Sequence, residues 1–270
     1  RWRLAGLCAG LARLTRADGV LASGVVGLLA LLPPPRSAGE RARRSAPARL
    51  LAAGLAVGGY LLVMGPWFAR NVAVFGSPQA PGGLSTLWLV EYNDLFNYPS
   101  DLTAGRYFAA GGGAILGAKG RALLLNLATL VSVHNLVFLT PFSLLGWLRR
   151  WRRPALLPAT LYGLALFAAM TFAFSLPGMR GGWLHSGAAL VPFVMATGAL
   201  GLDDAVRWAA ARRAGWHAES AWRVFSAASV VIAAVVVAVM VLLRSGGGGG
   251  GAAPPPGGGA PGQAGSRAGA

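Results

Sequence analysis

Arg16, Asp18, Arg70, Glu91, Asp94, Arg180 and His185 are the residues of this sequence whose types and spacing could do chemistry. Arg16 and Asp18 stand two apart in Thr15-Arg16-Ala17-Asp18-Gly19, between two short apolar runs. A guanidinium offers a fork of donors that matches phosphate, and a neighbouring carboxylate can orient it. Ionisable groups set among apolar helices usually serve function; equally, the two could simply pair and close a turn, since Asp-Gly favours one. Arg70 follows Pro66 and Trp67 at the end of a third run, where it either binds an anion or snorkels to the interface. Glu91 and Asp94, among Tyr92, Phe96 and Tyr98, resemble a surface that handles carbohydrate: aromatic faces stack on sugar rings and carboxylates accept hydroxyl hydrogens. Paired carboxylates also permit acid/base work, although such pairs are common on ordinary loops. Arg180 and His185 could hold a phosphate or a sugar hydroxyl; a lone His at a helix start is also an ordinary structural residue. His134 and His217 read as structural.

Several chemistries find no support. There is no GxxxxGK[ST] loop, GxSxG elbow, HExxH or CxxC, so nothing points to ATP-driven transport, serine hydrolysis or zinc catalysis. Cys8 is the single cysteine, which rules out an internal disulfide and a cysteine zinc cluster; it reads as a small packing residue. No cofactor is expected, and a divalent metal stays compatible with the carboxylates.

The elements that must position these residues are membrane helices. The 270 residues are 55% hydrophobic and 12% charged, with a mean hydropathy of +0.56, whereas a soluble domain carries about 25% charged residues. Apolar runs cover 4–14, 20–32, 50–68, 122–148, 156–176, 184–202 and 224–243. The expected fold is all-α, a polytopic bundle of six or seven membrane segments, of which the first two are too short to cross alone. A long mixed segment, 70–121, separates the third and fourth runs. The Gly/Ala/Pro stretch 245–270 reads as a disordered tail.

The net charge of +16 would suit a polyanion in a soluble protein, but nucleic acid is not expected here, because the arginines cluster between apolar runs. The groups are Arg36, Arg41, Arg43, Arg44 and Arg49; Arg149, Arg150, Arg152 and Arg153; and Arg207, Arg212, Arg213 and Arg223. Cytoplasmic loops retain such clusters, and one topology puts all three on that side, with 70–121 and 175–183 outside. The first two runs then form a hairpin whose turn stops below the outer surface, because Arg1 and Arg3 share the side of Arg36. Single glycines at 54, 58, 59, 163, 187, 198 and 201 suit close helix packing.

Four segments together resemble the later part of the GT-C membrane glycosyltransferases, above all the bacterial protein O-mannosyltransferase and aminoarabinose transferase groups. They are Gly6-Leu7 with Gly10-Leu11-Ala12-Arg13-Leu14-Thr15-Arg16-Ala17-Asp18-Gly19; Gly65-Pro66-Trp67-Phe68-Ala69-Arg70-Asn71 with Phe75-Gly76; 91–99; and 180–193. The resemblance implies an integral protein of the bacterial plasma membrane with its active face outside. Its donor would be a polyprenyl-phosphate-linked sugar and its acceptor a glycan, lipid or protein. It also implies a catalytic aspartate in an outer loop that precedes the first residue given, so that this stretch alone would be inactive. Arg16, with Arg70 or Arg180, would neutralise the lipid-phosphate leaving group, and Glu91, Asp94 and the tyrosines would position the sugar. The alternative is a transporter or flippase of lipid-linked sugars with the same arginines along its path; transporters usually carry paired repeats and broken helices, and no repeat is visible. A purely structural subunit of an envelope assembly is the third reading.

Overall fold

Glycines facing glycines decide how these helices meet. The computed structural model describes residues 2–32, 45–79, 83–96, 101–213 and 215–246, which form helices and turns with no strand among them. Four stretches are long and apolar enough to cross a membrane: Ala46–Phe75, Gly112–His134, Ser175–Ala210 and Ala218–Leu242. Large apolar side chains on them face outward, for example Leu62 at 72% exposed, Leu116 at 70% and Val230 at 70%. Surfaces of that kind need a hydrocarbon solvent.

Helices α1 (Trp2–Thr15) and α2 (Gly19–Leu31) form the expected hairpin and pack on α3 (Ala46–Phe75). A Cβ on Gly6 would meet the Ala56 carbonyl, one on Gly59 the Arg3 carbonyl, and one on Gly10 the Val63 side chain. Because a helix carbonyl lies level with residues three to four further on, these contacts make α1 and α3 parallel, with Gly6 opposite Gly59 and Gly10 opposite Val63. Continued upward, the same register sets Arg16 level with Ala69 and Arg70. The hairpin turn therefore reaches the level of Arg70, about 9 Å short of the end of α3 at Phe75, and at the other end α1 starts about 14 Å above the first residue of α3. Glycine packing, not the position of Arg3, fixes the height. At the lower end Arg49 donates to the Leu31 carbonyl at 3.3 Å. Arg36, Arg41, Arg43 and Arg44 lie outside the described residues.

The segment after α3 is shorter than its mixed composition suggested. α3 runs on through Arg70 to Phe75 and stops at Gly76, whose φ of +67° a side chain would strain and whose N–H closes on the Val72 carbonyl. Helix α5 (Gly112–Thr129) already begins at Gly112. Between them lie two 3-10 turns, Ser85–Trp88 and Tyr92–Phe96, and the short helix α4 (Ala104–Ala109); Asn97 and Tyr98 are outside the described residues.

The fourth apolar run is not one helix, contrary to the sequence reading. α5 widens into a π-turn at Leu130–His134, breaks through Asn135–Leu139 and restarts as α6 (Thr140–Arg150). Asn135 donates its side-chain amide to the Leu130 carbonyl at 2.8 Å, competing with the ladder. Leu136 and Val137 take φ of +49° and +61°, and Pro141, which cannot donate a backbone N–H, sits in the first turn of the new helix. The eleven residues of α6 place the break about 16 Å from the arginines that end it. A second interruption follows α7 (Leu157–Ala168): π-turns at Ala169–Ala173 and Gly178–Gly182 precede Trp183–Gly187 and α8 (Val191–Ala210).

α6 and α8 are parallel neighbours. Gly146 and Gly201 face each other, and beyond them Arg150 forms two hydrogen bonds to Asp204, at 2.5 and 2.8 Å. The second and third arginine groups thus share one end of the bundle, as the topology requires. α9 (Ala218–Gly246) follows. The chain divides into two compact units, Arg1–Ser226 and Ala227–Ala270. Of the Gly/Ala/Pro stretch, Ser245 and Gly246 complete α9 and the rest lies outside the described residues.

Candidate anion site at the end opposite the arginine clusters

The α1–α2 turn forms because Gly19 lets α2 press against the Ala12 carbonyl, where a Cβ would sit 2.3 Å away. That leaves Arg16 and Asp18 at the tip. Arg16 donates Nε to Asp18 Oδ1 at 3.1 Å and Nη2 to the Ser186 hydroxyl at 2.9 Å. Its side chain stays 48% exposed while Asp18 is 9% exposed. The pairing reading is what the geometry shows, with Asp18 fixing the guanidinium, and about half of the Arg16 side chain stays exposed. The second bond reaches across 170 residues of sequence to the neighbour of His185.

Arg180 and His185 sit where the chain turns back towards α8. Arg180 leaves helical geometry (φ −95°, ψ 21°) and Gly181 follows at φ +116°, a conformation that favours glycine. The exposed His185 ring lies over the space a Gly181 Cβ would enter. Arg180 reaches the other way, its guanidinium 4.9 Å from the centre of the Tyr92 ring, a cation–π contact. Tyr92 is flanked by Phe96, ring centres 5.9 Å apart. Three of the four segments singled out in the sequence are thus joined, the hairpin turn to 180–186 through Ser186, and 180–186 to the Tyr92 turn through Arg180.

Glu91 and Asp94 have separated in role. Glu91 is exposed, whereas Asp94 is 4% exposed and occupied. Its carboxylate accepts from the Glu91 backbone N–H at 2.9 Å and from Arg106 Nη2 at 2.8 Å, tying the Tyr92 turn to α4. The hydrogen bond from Arg106, more than any other influence, holds the Asp94 carboxyl below its ordinary value of 3.8, and Arg106 is raised in turn. A depressed carboxylate stabilises the fold above the unfolded pKa, and that stability is lost as pH falls through the folded value. Protection of 83–96 and 101–109 from added protease should therefore be flat from neutral pH to about 4 and collapse below it. Asp94→Asn should speed cleavage about tenfold at pH 7; a rate equal to wild type would remove Asp94 from this role.

Arg70 keeps to its own helix end. Its guanidinium lies 5.2 Å from the Trp67 ring and 3.4 Å from Asn71 Oδ1, and Asn71, buried, donates to the Pro78 carbonyl at 3.1 Å. It shares the level of Arg16 without a described contact to it. Lys119 on α5, not singled out in the sequence, donates Nζ to the Phe172 carbonyl, and His134, read as structural, is buried at the break with its ring 5.3 Å from Trp183 and Nε2 3.3 Å from the Leu184 oxygen. Both depend on π-turns, which leave no mark in an apolar run. Among the described residues, no three His, Cys, Asp or Glu gather as a metal site would require.

No family model, curated protein or solved structure matches the chain. The likeness to GT-C transferases rests on the quoted residues alone.

Proposed function

We propose that this chain belongs to a bacterial plasma-membrane glycosyltransferase that takes a sugar from a polyprenyl-phosphate carrier at the extracytoplasmic face. The arginine-rich end is the cytoplasmic one in this reading. The observation that carries it is the Arg16 guanidinium, half exposed at the far end, fixed by Asp18 and Ser186 and level with Arg70. As an acceptor oxygen attacks the anomeric carbon and the bond to phosphate breaks, negative charge grows on the departing oxygen. A preorganised guanidinium stabilises that charge more than it stabilises the bound substrate. The exposed Glu91 and the Tyr92 ring, in contact with Arg180, suit sugar hydroxyls and a sugar face.

The rival reading, a transporter or flippase of the same lipid-linked sugars, draws support from the interrupted helices at Asn135–Leu139 and Ala169–Gly182. One assay separates them. In proteoliposomes holding the intact protein, Arg16→Ala should lower sugar transfer from a polyprenyl-phosphate donor about 100-fold or more, with the protein still folded. Arg16→Lys should recover part of it, since a point charge replaces a fork. Unchanged transfer in Arg16→Ala refutes the role; carrier translocation without transfer in wild type favours the transporter.

A further inference from the structure

The arginine-rich end holds a second feature, independent of the site above. Its carboxylates are already committed: Asp204 to Arg150 and Arg149, Asp203 to Arg207, Glu219 to Arg223. Arg212 and Arg213 carry no carboxylate among the described residues and lie instead against indoles, Arg212 at 4.3 Å from the Trp208 ring and Arg213 at 5.8 Å from the Trp216 ring. Both arginines and Trp216 lie on the turn that joins α8 to α9, and the end of α8 and the start of α9 border an open groove of about 630 Å³. Leu200, Val206 and Trp222 give it apolar walls, and its charged lining is paired, Asp203 with Arg207 and Glu219 with Arg223. The Trp216 indole N–H, near Arg213, is buried and has no acceptor among the described residues; a buried donor of that kind calls for a partner.

We propose that this groove holds one anionic glycerophospholipid of the adjoining leaflet, its phosphate on Arg212 and Arg213 with the Trp216 N–H within its reach, and an acyl chain along Leu200, Val206 and Trp222. The charge balance selects the headgroup: two arginines without a carboxylate partner among the described residues attract an anionic lipid more than a neutral one. The wall chemistry selects a chain over a soluble anion, because an inorganic phosphate would leave the apolar walls uncovered. A groove of this volume is of ligand size.

The test is native mass spectrometry of the full chain released from detergent with phosphatidylglycerol or with phosphatidylcholine of the same acyl chains. The expected result is retention of phosphatidylglycerol about 10-fold or more above phosphatidylcholine, falling to the phosphatidylcholine level in Arg212→Gln/Arg213→Gln. Arg152→Gln/Arg153→Gln removes the same charge from the turn after α6 and should leave retention within about twofold. Equal retention of the two lipids in wild type overturns the proposal without any variant. So does an equal fall in both double variants, which marks a diffuse basic belt, or lipid-free dimers that cover the groove with a second copy.

Discussion

Gly201→Ala should destabilise the bundle by about 3 kcal/mol or more, the upper range for overpacking, because the added carbon has nowhere to go. Its Cβ would stand 1.9 Å from the Phe142 carbonyl oxygen and 2.9 Å from the Gly146 nitrogen. These are backbone atoms, which cannot rotate away as a side-chain tip does, so α6 and α8 must separate. Gly146→Ala should do the same from the other side, its Cβ meeting the Thr197 carbonyl oxygen at 2.0 Å. Once one methyl has parted the helices, the second meets less resistance. The double variant should therefore cost clearly less than the sum, a coupling that distant sites do not show. Unfolding in mixed micelles with rising SDS fraction measures all three. Additive losses, or a loss under about 1 kcal/mol in either single variant, would mean the helices are not in backbone contact.

Asp204→Ala is the other large effect, at about 3–5 kcal/mol. The carboxylate receives two hydrogen bonds from Arg150 and lies 3.3 Å from Arg149. Arg150 and Asp204 side chains are 12% and 13% exposed, so removing one leaves the other charged and poorly solvated. Breaking such a pair costs far more than exchanging both members for apolar side chains. Arg150→Met with Asp204→Leu should recover most of the loss. Failure of the double replacement to recover stability would show that Asp204 acts chiefly through Arg149 or through α8 itself.

Where the sequence was legible, a single physical rule governed the outcome. Hydropathy over 50–68 and 224–243 marked α3 and α9, and the clustering of arginines put the ends of α6 and α8 on one side, where Asp204 now binds Arg150. The hairpin was legible because Asp18-Gly19 interrupts two runs each too short to cross. Its height was not, since that depends on which glycines meet: of the candidates on α3, Gly59 meets Arg3 and Gly6, while Gly54 and Gly58 face open space. The break at Asn135 was hidden because Leu136 and Val137 are as apolar as their neighbours and only Pro141 hints at a restart. In the candidate site, Arg16, Arg180 and His185 were identifiable as polar groups stranded among apolar runs. The spacing of Glu91 and Asp94 gave no sign that one would be exposed and the other consumed by Arg106, a partner twelve residues away.

The central claim is that Arg16 and its neighbours open to the compartment that faces Glu91 and is opposite the Arg149–Arg153 turn. Thiol labelling on intact cells tests this once Cys8, which is exposed, is replaced by Ala. With a membrane-impermeant maleimide, single cysteines introduced as Glu91→Cys and His185→Cys should react from outside, and Arg152→Cys only after permeabilisation. Added polyprenyl phosphate should slow labelling at His185→Cys and leave Glu91→Cys less affected. Labelling of Arg152→Cys in the same compartment as the other two would contradict the account.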